Sequence, residues 1–194
     1  MLSERLQLKL YLEPSEHFEL EALIPVFHRF IRDQVLKDLV IDVVDYSHVP
    51  DGPGVVLIGH AADYYVGALD GALGLVFSRK RGGPGEGARL EDALHRLVNV
   101  ARLLEQESGL KLRFTSNELS LRLTDRLRAP NDDATFASTQ AEVQALFGRV
   151  YGGDVAIERL PGSKEPLSLR IKAASAPSLE ALLEKLGGVP STAA

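Results

Sequence analysis

The stretch from Leu39 to Arg81, LVIDVVDYSHVPDGPGVVLIGHAADYYVGALDGALGLVFSRKR, most constrains what this chain can become. Apolar runs rich in valine, isoleucine and tyrosine are cut by Pro50-Asp51-Gly52-Pro53-Gly54 and again by Asp70-Gly71. Breakers of this kind between short apolar runs predict strands folded back on one another. Three antiparallel strands are expected here, with the proline-glycine bend pairing Val49 with Val55. One face then carries Leu39, Ile41, Val43, Val55 and Leu57, ready for helices to cover. The other carries Asp42, Val44, Tyr46, His48, Val56, Ile58 and His60, too apolar for solvent and too polar for ordinary core.

The rest of the chain supplies the layer above. Leu6, Leu8, Leu10 and Leu12 alternate with polar residues as a half-buried strand does. A helix with Pro25 in its first turn carries Leu23, Phe27, Phe30, Ile31 and Val35, and a second spans about 90–108 with a cap expected at Gly109. Leu110 to Phe114 and Leu119 to Leu123 are expected to form a hairpin about Ser116-Asn117. Thr139 with Glu142 marks the start of a third helix, and Ser178 the start of a fourth. Between them, strands near 155–160 and 167–172 form another hairpin. The expected fold is α+β, antiparallel sheets backed by helices in two ferredoxin-like halves in tandem, 1–115 and 116–187, before a flexible tail over 188–194. Val26–Phe30 aligned with Leu146–Val150, and Asp38–Asp42 with Asp154–Glu158, hint at a degenerate duplication.

Composition removes several chemistries. The 194 residues contain no cysteine, so disulfides, thiolate nucleophiles and cysteine-ligated metals are absent. A net charge of −5 disfavours a nucleic-acid binder. The lack of a long apolar run or a secretory-type start sets the expectation at cytoplasmic, with no membrane partner. Asp42, Asp45, His48, Asp51, His60 and Asp63 crowd metal-ligand types together. In the expected register, however, the two histidines lie roughly 13 Å apart at about 3.3 Å per residue, so no metal or other cofactor is expected. Asp42, Tyr46, His48, Ile58 and His60 remain the candidates for a ligand or interface face. Arg79, Lys80 and Arg81, before the glycine-rich run 82–87, are candidates for anion binding. No G-x-S-x-G, H-E-x-x-H or P-loop pattern occurs, and the reading leans against an enzyme.

The segment HVPDGPGVVLIGHAADYYV resembles one in uncharacterised bacterial proteins of about this size, a likeness spanning mainly residues 20–110. The resemblance implies no activity. The expected function is non-enzymatic association, with a second copy or another protein docked on the mixed face of the 39–60 hairpin. The competing expectation is a small-ligand or metal-binding sensor, or an enzyme, using Asp42, Tyr46, His48 and His60.

Overall fold

The structure, a computed structural model, describes residues 3–13, 18–50, 52–68, 71–80, 88–162 and 164–187. Asp51, Asp70, Arg81, the glycine-rich run 82–87 and the tail 188–194 lie outside the described residues. Eight strands, β1 (Leu6–Leu12), β2 (Val40–Tyr46), β3 (Gly54–Gly59), β4 (Ala62–Gly67), β5 (Gly74–Arg79), β6 (Phe114–Leu123), β7 (Val155–Arg159) and β8 (Ser168–Ala173), form one sheet. Their order is β2-β3-β4-β5-β1-β6-β8-β7, with every neighbouring pair antiparallel. Among the described residues four α-helices accompany it: α1 (Leu23–Arg32), α2 (Arg89–Glu105), α3 (Asp133–Tyr151) and α4 (Leu179–Lys185).

The α+β class and the helix-backed antiparallel sheet are as the residue pattern predicts. Strands from the two halves share one sheet, because β1 and β6 pair along Leu6↔Leu123 to Leu10↔Leu119. Each half nevertheless runs strand, helix, edge strand, return, helix. The segments aligned above fall on α1 with α3, and on β2 with β7, the two sheet edges.

Alternation decides which side the helices cover. Leu6, Leu8, Leu10, Val55, Leu57, Tyr64, Val66, Leu75, Phe77, Leu119, Leu121, Leu169 and Ile171 join the buried residues of all four helices in one core. Burying a Leu or Phe side chain contributes about 1.5–3 kcal/mol, which outweighs the weak propensities of the short strands. On the opposite face a separate small cluster holds Val56, Tyr65 and Val76, with Ile58 against it.

Four local expectations are corrected. The central stretch makes four strands, because Gly59 ends β3 and His60-Ala61 is a two-residue hairpin turn; a Cβ on Gly59 would lie 2.3 Å from the Ala62 carbonyl oxygen. No hairpin forms at Ser116-Asn117. There β6 continues, shifting its register against β1, with the Ser116 carbonyl accepting from the Tyr151 hydroxyl at 2.6 Å and Asn117 Nδ2 donating to the Ala173 carbonyl. Helix α3 starts six residues before Thr139, where the Asp132 side chain accepts from Thr135 N at 2.8 Å, and Thr139 is buried inside it. Helix α2 stops at Glu105, before Gly109, whereas α3 does end on a left-handed glycine, Gly152, at φ 78°.

Candidate functional site

The β2–β3 hairpin carries the residues singled out from the sequence. Its register is Asp42↔Ile58, Val44↔Val56 and Tyr46↔Gly54, four residues from the pairing expected for Val44. The connection is longer than expected: Asp45 takes the Ser47 amide at 2.8 Å, and turns close from Val49 N to Tyr46 O and from Gly52 N to Val49 O. A shift by an even number keeps the faces. Asp42, Val44, Tyr46, Val56 and Ile58 therefore still share the side away from the helices. His48 lies in the turn after β2, and His60 in the turn after β3 at the hairpin's other end, both exposed. The structure does not bring the two histidines together. Asp63 sits on the open face and accepts from Lys80 Nζ at 2.7 Å. Among the described residues no three His, Asp or Glu side chains converge as a metal would need.

This face covers much of its own apolar centre. The Tyr65 hydroxyl accepts from Gln7 Nε2 two strands away, which lays the ring across the face, and Val76 is 0% exposed. Burial pushes the Tyr65 hydroxyl pKa up to about 12. The Lys9 stem folds over Gly74, and its ammonium reaches the Ala72 carbonyl. The apolar face expected on the helix side is likewise not intact. A bulge between Val40 and Asp42 leaves Val40 buried and turns Leu39 and Ile41 outward, 69% and 57% exposed.

A cavity of about 450 Å³ lies on the helix side, between the α1–β2 connection and α2. Val35, Leu36, Lys37 and Asp38 line one wall, and Asp92, His95, Arg96, Asn99, Val100, Arg102 and Leu103 the other, with Tyr64 between. Strand β4 aims Tyr64 inward because its position alternates with those of the open face. One ionic chain crosses this region. Arg79 Nη1 reaches Asp92 Oδ2 at 3.4 Å, Arg96 Nε donates to Asp92 Oδ1 at 2.9 Å, and Arg96 and the Tyr64 hydroxyl both donate to Asp38. Burial, then the negative charge of Asp38, holds the Tyr64 hydroxyl well above its ordinary pKa. Burial lowers Arg79, against the opposing pull of Asp92; it also acts to lower Arg96, but Asp38 and Asp92 together leave that group raised. No protein-family model matches this chain, and no curated protein matches it.

The structure places two of the three anion-binding candidates. Arg79 is 4% exposed, on the helix-covered face against Asp92, and Lys80 is held by Asp63. Arg81 lies outside the described residues. The cavity itself escapes a reading by motif, because its groups come from residues 35 to 103 with no short spacing. The one local signal is Asp92 and Arg96 four apart on α2, which by itself reads as an ordinary surface pair.

Proposed function

We propose that this protein works by association rather than catalysis, through the outer edge of β2, with a second copy of itself as the partner. The reading keeps the expected class of function and moves the contact from the open sheet face to the strand's edge. The observation that carries it is the placing of exposed apolar side chains. Among the described residues, Val35, Leu39, Ile41, Tyr46 and Val49 are five of the seven large hydrophobics exposed at 39% or more. They gather in fifteen residues on and beside an edge strand, where isolated exposure would have scattered them.

Shared strand pairing is not the mode of contact, since Asp42 Oδ1 takes the Val43 amide at 2.8 Å and Asp45 the Ser47 amide. Side chains make it instead. A two-fold axis at Ile41 packs the two isoleucines together, an isologous arrangement. The likeness to uncharacterised bacterial proteins adds nothing to this reading. Light scattering coupled to size exclusion tests it: the wild type should elute as a dimer at high micromolar concentration, and Leu39→Asp with Ile41→Asp as a folded monomer. A monomeric wild type, or a dimer indifferent to both substitutions, overturns the proposal.

A further inference from the structure

The cavity beside α2 has an unusual charge balance. Its two carboxylates are already committed, Asp38 to Arg96 and Tyr64, and Asp92 to Arg96 and Arg79. Its other two permanent cations are not. Arg102 is anchored by neutral groups alone, through Asn99 Oδ1 and Gln106 Oε1, both at 3.2 Å. Its Nε is buried and has no hydrogen-bond partner among the described residues. Lys37, at the rim, is exposed and pairs with no carboxylate among the described residues.

Asn99 and Gln106 leave the charge of the Arg102 guanidinium uncompensated by any carboxylate among the described residues, so at the cavity wall it is open to an acceptor supplied from outside. The anchoring matters as well. Asn99 and Gln106 sit three residues before and four after Arg102 on the same helix face, so the guanidinium plane is held without its charge being spent.

The remaining wall is hydrocarbon. Val35 and Leu36 on the connection face Val100 and Leu103 on α2. The α2 wall runs from Asp92 to Leu103, about 16 Å at 1.5 Å per residue. A volume of 450 Å³ holds about 15 waters at roughly 30 Å³ each, within the range of small-molecule pockets. A metal cation finds no free carboxylate, and an inorganic anion would leave the apolar walls wet.

We propose that this cavity binds a small amphipathic organic anion, its carboxylate taken by Arg102 with Lys37 at the rim, its apolar body against Val35, Leu36, Val100 and Leu103. Val35 also belongs to the proposed dimer patch, but Arg102, Val100 and Leu103 do not, and occupancy of the cavity does not require a dimer.

Calorimetric titration with octanoate tests this, run beside octanol and inorganic phosphate. Octanoate should bind once per chain and at least tenfold tighter than either control. Arg102→Gln should weaken it tenfold or more with the melting temperature retained, and Leu103→Trp, which fills the cavity from a partly exposed position, should abolish it. Should Arg102→Gln fail to fold, Lys37→Gln and Leu103→Trp carry the test. Octanol binding as tightly as octanoate removes the role of charge, and phosphate doing so removes the role of the walls. Either result, unchanged affinity in the folded variants, or no binding by wild type overturns the inference. Ile41→Asp should bind octanoate like wild type, so failure of the dimer leaves this result intact.

Discussion

Asp38→Asn should test the ionic chain that holds the α1–β2 connection against α2. Asp38 is 14% exposed and accepts from two donors, the Tyr64 hydroxyl, whose residue is 1% exposed, and the Arg96 guanidinium, 26% exposed. An asparagine keeps the volume but has one oxygen for two donors and turns an N–H toward one of them. Removing one partner of a fully buried pair costs about 3–5 kcal/mol. Arg96 is a quarter exposed and keeps Asp92, so about 2–3 kcal/mol is expected. Tyr64→Phe removes one donor and leaves Asp38 with Arg96, for about 1 kcal/mol. In the double variant the asparagine no longer confronts an unsatisfied hydroxyl, so the pair should cost about 1 kcal/mol less than the sum. Urea unfolding of the four proteins gives all three numbers. A cost below about 0.5 kcal/mol for Asp38→Asn, or additivity within about 0.5 kcal/mol, would refute the reasoning.

Two further outcomes follow from burial and backbone. Tyr64, Tyr65 and Tyr151 all have raised pKa values, chiefly through burial. Stability from these groups is complete below pH 10, where both states keep their protons, and falls above it as only the unfolded chain releases them. Tyr65 alone, shifted to about 12, accounts for about 2–3 kcal/mol by pH 12 at 1.36 kcal/mol per unit. A urea midpoint that stays flat from pH 9 to 12 contradicts this. Gly54→Ala should lose roughly 2–4 kcal/mol in the same unfolding assay, since φ is 74° and a Cβ would stand 2.2 Å from the Val66 carbonyl oxygen. A loss under about 1 kcal/mol would mean that β3 and β4 shift apart freely.

Period-two alternation made β1, β8 and the face assignment of the central hairpin legible, because an even error in register leaves sides unchanged. It could not show that VVLIGHAADYYV bends at His60, since an apolar run through a glycine looks like one long strand. Ser116 and Asn117 mimicked a turn because their partners, Tyr151 and Ala173, are 35 and 56 residues away. The bulge that exposes Ile41 left no local signature either. Asp38 and Tyr64 were illegible for the same physical reason, since each owes its environment to contacts made across the fold. The histidines drew attention by residue type alone, and their positions in two turns came from connection lengths that spacing does not determine.

The place of β1 between β5 and β6 has a consequence for biosynthesis. The strand made first is completed on one side by β5 and on the other by β6, which is translated more than a hundred residues later. At about 5–20 residues per second, a nascent chain keeps that flank of Leu6–Leu12 without its neighbour for on the order of ten seconds. Holdase chaperones have that interval in which to engage it.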